Sequence, residues 1–82
     1  MIDCYQKANL ENWEQEIYTN AVYFTATCFL GTGKYERHQF KTEHDAVTYA
    51  NANVRIRPWG IYAVCANQHD IVCGLVKNAK YV

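Results

Sequence analysis

The chain reads as a small α+β domain, a four-stranded and mainly antiparallel sheet in the order β-β-α-β-β with one helix on one face. Three observations predict it. Apolar residues alternate with period two over residues 20–30. A segment opening at Thr42 places Ala46, Val47, Ala50 and Val54 at helical spacing. Two apolar, β-branched runs, 60–66 and 71–76, flank Asn67-Gln68-His69-Asp70, which reads as a hairpin turn. A helix with a single apolar stripe must lie on a sheet, so these pieces belong to one layered domain spanning residues 1–82.

Taken in order, residues 1–16 form either a short helix or a loosely attached arm. Asn9 is the candidate cap, Leu10, Trp13 and Ile17 form a stripe, and Glu11 and Glu14 fall in the favourable first turn. That stripe, anchored by Trp13, covers part of the sheet or reaches a partner. In the first strand Val22, Phe24, Ala26, Cys28 and Leu30 make one face, with Tyr23, Thr25 and Thr27 on the other. Gly31-Thr32-Gly33-Lys34 signals a hairpin, because glycine reaches the positive φ that tight connections need. Residues 35–41 return as a more polar strand suited to an edge. Thr42 fits the helix N-cap with Asp45 three positions on, and the helix fades near Asn51-Ala52-Asn53. Pro58 disfavours helical geometry at Arg57. A short tail follows at 77–82.

Eighty-two residues allow two layers but no deep cleft walled on all sides, which disfavours a self-contained enzyme. Eight basic residues balance eight acidic ones, so no long-range positive field favours generic phosphate-backbone binding. Low net charge also weakens repulsion between copies. Aromatic residues reach 15%, with seven tyrosines, and part of that surface must stay exposed as a contact surface. No apolar stretch approaches transmembrane length. The opening residues lack the apolar core of a signal peptide, and Cys4, Cys28, Cys65 and Cys73 read as reduced thiols of a cytoplasmic protein.

The chemistry-bearing residues form no strong motif. Seven residues separate Cys65 from Cys73 across a hairpin, with His69 between them, unlike the tight knuckles of structural zinc, and no metal or cofactor is expected. Whether those two cysteines face each other depends on the loop length. Cys28 belongs to an apolar face, where a thiol has little reactivity. His44 falls in a helix first turn, whose dipole disfavours its protonation. Arg55, Arg57 and Trp59 make the sharpest exposed cluster. Such a group serves as a protein anchor, as a stacking and phosphate site for single-stranded nucleic acid, or as an exit loop whose arginines pair with Glu36 or Asp45 while Trp59 plugs the sheet end. Tyr18, Tyr23, Tyr35 and Tyr62 offer a second surface, with Tyr23 and Tyr35 on or near the sheet face away from the helix, where a partner, including a second copy, can dock.

The segment Phe40-Lys41-Thr42-Glu43-His44-Asp45-Ala46-Val47-Thr48-Tyr49-Ala50, followed by Arg57-Pro58-Trp59-Gly60-Ile61-Tyr62-Ala63-Val64, resembles a pattern in small uncharacterised bacterial and phage proteins. In these a strand, a threonine-capped helix and an Ile-Tyr-Ala-Val strand recur. The resemblance covers roughly half of the chain. It implies an origin in bacteria or their mobile elements, and it supplies no activity or site residue. The leading expectation is a non-catalytic, self-associating protein-interaction module using Trp59, Arg55 and Arg57, with Tyr23 and Tyr35 as a second set. The alternatives are a single-stranded nucleic-acid binder using Arg55, Arg57 and Trp59, and a small metal- or thiol-dependent enzyme.

Overall fold

A computed structural model describes residues 5–77. Its elements are β1 (Tyr5–Lys7), α1 (Asn12–Thr19), β2 (Tyr23–Gly31), β3 (Lys34–Phe40), α2 (Glu43–Ala52), β4 (Trp59–Val64) and β5 (Asp70–Val76). The strands form one sheet in the order β1-β5-β4-β2-β3, antiparallel at each junction. The α+β class is the one predicted. The detail is corrected: the sheet has five strands rather than four, and two helices rather than one pack on it.

Both additions come from the first twenty residues. Tyr5, Gln6 and Lys7 pair with Val76, Leu75 and Gly74, so β1 extends the sheet beyond β5. The helix begins at Asn12 with Glu11, not Asn9, at its N-cap, and the Glu11 backbone N–H donates to Glu14 Oε1 at 3.0 Å. Leu10, Ile17 and Tyr18 pack against the core, whereas Trp13 is 57% exposed. Its indole N–H donates to Glu11 Oε2 at 2.8 Å, which holds the ring out at the helix start instead of anchoring the stripe.

The α2 cap is the predicted one, with Thr42 Oγ1 accepting from the Asp45 N–H at 3.1 Å. Ala46 and Ala50, four residues apart, are buried, and their small side chains let the helix approach the sheet closely. Beneath them lie Ala26, Cys28, Ile61, Ala63, Ile71 and Cys73. Both helices occupy this one side: Ala46 and Ala50 of α2 join the core cluster directly, while Tyr18 of α1 meets Phe24 edge to face at 6.1 Å.

Register sorts the remaining side chains. Cys28 pairs with Trp59, Ala26 with Ile61 and Phe24 with Ala63, so these six point to the helix side. Val22 and Leu30, expected on that apolar face, are exposed, because the strand begins at Tyr23 and its pairing shifts between Phe29 and Gly31. The connection to β3 runs through Gly31, Thr32 and Gly33, all at positive φ. A second register shift pairs Ile61 with Gly74 but Tyr62 with Val72, leaving Cys73 as the extra residue. The bulge turns Cys73 and Gly74 to the same side, and the Tyr5 ring lies directly over Gly74, where a Cβ would collide with it.

Candidate binding surface

The sheet face opposite the helices carries Tyr23, Thr25, Thr27 and Phe29 from β2, paired with Val64, Tyr62 and Gly60 on one side and with Gln39, Arg37 and Tyr35 on the other. Among the described residues no helix covers it. Phe29 and Tyr35 are direct cross-strand partners with ring centroids 6.3 Å apart, and they remain 57% and 58% exposed. Val72 is exposed beside Tyr62.

These side chains surround a shallow basin of about 200 Å³ lined by Thr27, Phe29, Tyr35, Arg37, Tyr62 and Asp70. Gly60 contributes by absence, since the Tyr62 ring lies across it and a Cβ there would come within 3.0 Å of the ring edge. The basin therefore offers three rings together with one cation and one anion. Of the residues expected here, Tyr35 lines the basin. Tyr23 lies on the same face but is half-buried, its hydroxyl donating to Gln68 at 3.3 Å. Thr25 Oγ1, in the next register row beside Tyr62, is buried without a hydrogen-bond partner among the described residues.

Of the three readings of Arg55, Arg57 and Trp59, the structure matches the exit loop, with Trp59 as a plug and Arg55 on Glu36, and not the exposed binding cluster. Trp59 is 0% exposed, because its register opposite Cys28 sends the indole to the core, where its N–H donates to Asn53 O at 2.9 Å. Arg55 lies over that ring at 5.1 Å and pairs with Glu36 at 2.8 Å. Arg57 is exposed, with its guanidinium beside Gly31. The three thus form a plugged exit loop, with no aromatic face left for a base or a protein.

Two carboxylates organise the helix side. Glu36 accepts from Arg55 and lies 2.7 Å from His38 Nε2, and Tyr49 donates to it at 3.4 Å. Because a carboxylate only accepts, the contact with Glu36 calls for the proton on His38 Nε2, whose second neighbour is the Tyr49 hydroxyl at 3.0 Å. The Arg55 guanidinium, with His38 second, pulls the Glu36 carboxyl down to about 2. Glu43 accepts from Tyr5 at 2.6 Å and from Tyr18 at 2.5 Å, with the Lys7 ammonium 3.6 Å away. Burial opposes its charge, but the two phenols and Lys7 outweigh it and hold the carboxyl below its usual range. Burial chiefly, with Glu43 as its hydrogen-bond partner, pushes the Tyr5 phenol far up. This knot joins β1, α1 and α2.

Cys28, Cys65 and Cys73 are free thiols. Cys65 and Cys73 do not face each other: β4 ends at Val64, opposite Asp70, and Cys73 sits in the bulge. Their sulfurs donate separately, Cys65 to Ile17 O and Cys73 to Ile61 O, both at 3.3 Å. Burial pushes the Cys73 thiol up to about 11, which suppresses its thiolate. Cys4 lies outside the described residues. Among the described residues no three of His, Cys, Asp and Glu gather into a metal site, and no helix is long and apolar enough to cross a membrane.

Of the tyrosines offered as a second surface, Tyr62 also lines the basin, whereas sequence reasoning missed Phe29, Arg37 and Asp70, which come together only through the strand register. One signal was available, since Phe29 and Tyr35 flank the glycine turn nearly symmetrically and so fall opposite each other. No family model matches the chain, and neither the curated proteins nor the solved structures contain a match to it.

Proposed function

We propose that the chain is a non-catalytic protein-interaction module that self-associates through the uncovered face of its sheet. One observation carries this reading: both helices pack on one side, and the other side leaves Phe29 and Tyr35 exposed at a basin, with Val72 exposed beside Tyr62. Exposed rings grouped on a flat surface are the usual makings of an interface. The zero net charge adds no repulsion between copies. A catalytic reading draws less support, because Glu36, Glu43, His38 and Arg55 are engaged with one another or with tyrosines. A nucleic-acid reading built on the exit loop lacks its stacking ring, since Trp59 is buried.

The test is sedimentation velocity across a wide concentration range, on the unaltered chain and on a Phe29→Ala/Tyr35→Ala variant. The unaltered chain is expected to reach twice its single-chain mass. Truncating anchors of this kind costs about 2 kcal/mol or more, so the variant stays single where the parent pairs. A parent that is single at every concentration removes self-association. An equally strong dimer in the variant moves the interface off this face.

A further inference from the structure

We propose that two copies pair open face to open face about a two-fold axis that sets Arg37 of each against Asp70 of the other, a register that rests on the self-association proposed above. A two-fold interface must complement itself, because the same patch serves both partners. A basin of one sign would repel its own copy. This one carries a single guanidinium, on β3, and a single carboxylate, at the start of β5. The described ion pairs are Lys7–Glu43, His38–Glu36 and Arg55–Glu36, so neither Arg37 nor Asp70 has an ion-pair partner among the described residues.

The operation is defined by those two positions. A two-fold axis lying in the interface, crossing the line from Arg37 to Asp70 at its midpoint and at right angles, exchanges the two sites and forms both cross-pairs at once. Phe29, Tyr35 and Tyr62, which share the basin, are then enclosed by the partner's matching surface. The molecule measures 34 × 28 × 21 Å, and its broad dimensions accommodate the roughly 800 Å² per partner of a standard interface. A second copy also fits the mixed charge better than other occupants. Asp70 opposes a phosphate, and Arg37 opposes a basic peptide.

The test is a charge swap in the full chain. Arg37→Asp and Asp70→Arg are made separately, and circular dichroism checks each fold. Each alone places like charges together and weakens its own dimer on the order of tenfold or more. Mixed, the two variants restore a dimer containing one of each, because each supplies the charge that the other needs. Native mass spectrometry separates that species from either homodimer by mass. Restored mixed dimers at near-parental affinity support the register. Single variants that pair as well as the parent, or mixtures with no preference for the mixed species, overturn the register while leaving self-association standing. A parent that never pairs overturns both. If either reversal fails to fold, Arg37→Gln and Asp70→Asn replace them. Each is then expected to weaken pairing and reduce its sensitivity to salt, and an unchanged salt response overturns the register.

Discussion

On the helix side of the sheet the charged groups answer one another within the chain, whereas on the open side Arg37 and Asp70 answer nothing described. Glu36 is met by Arg55, His38 and Tyr49, and Glu43 by Tyr5, Tyr18 and Lys7, with Trp59 and the alanines packed between them. The other side exposes its largest rings and buries Thr25 Oγ1 without a partner. The difference separates two roles. One face holds the domain together, and substitutions there should read out as stability. The other is free to vary its contacts, and substitutions there should read out as association.

The largest effect that sharpens the comparison is expected from Trp59→Ala. Removing a fully buried aromatic costs about 3–5 kcal/mol, comparable to the whole stability of a small domain. Urea denaturation should find the variant largely unfolded. On the open side, at a protein concentration where the parent is single, Tyr35→Ala should shift the same curve by only about 0.5 kcal/mol. Comparable losses at the two positions would break the division.

Next in size is Gly74→Ala. Its Cβ meets the Tyr5 ring, and overpacking of that kind costs about 1–3 kcal/mol. The penalty should largely vanish in a Tyr5→Ala background, which a double-mutant cycle of urea midpoints would measure. Additive losses would mean that the two residues do not oppose each other.

Acid titration addresses the Glu36 cluster. Its carboxyl is held at about 2 in the folded chain against an ordinary 4.5, with Arg55 the main cause. A depressed folded value means the carboxylate stabilises the fold fully above pH 4.5 and loses that contribution as pH falls toward 2. Urea midpoints of Glu36→Gln should therefore start lower at neutral pH and change less across that window. An acid limb as steep as the parent's would remove Glu36 from the account.

The smallest effect lies beneath the open face. Thr25→Val keeps the shape and removes the unpartnered buried hydroxyl, so stability should be unchanged or raised by up to about 1 kcal/mol. A clear loss would show that the hydroxyl has a partner in solution.

Local signals in the sequence were enough for the parts that local physics decides. Thr42 and Asp45 lie three residues apart, and the cap they form is read without reference to the rest of the chain. The period-two run through Phe24, Ala26 and Cys28 gave the central strand, although its ends at Val22 and Leu30 lay outside the buried face. β1 was illegible because three residues show no period, and its partner lies some seventy positions away. For Trp59 the sequence offers both an exposed anchor and a plug, and only its alternation with Ile61 and Ala63 on β4 decides for the plug. The basin needed register: Arg37, Tyr62 and Asp70 sit on three strands, and nothing local relates them.

The two edges of the sheet meet the danger of uncontrolled growth differently. β3 carries Lys34, Glu36, Arg37 and His38, and a run of charges discourages another chain from adding to it. β5 has no charge after Asp70, and its run of Ile, Val, Cys, Gly, Leu and Val is the kind of segment that templates fibrils. What shields its outer margin is β1, three residues long and tethered by Tyr5 to Glu43. The phenol that fastens this short strand thereby helps to keep that margin paired, and a Tyr5→Phe variant is expected to aggregate sooner, which thioflavin fluorescence would check.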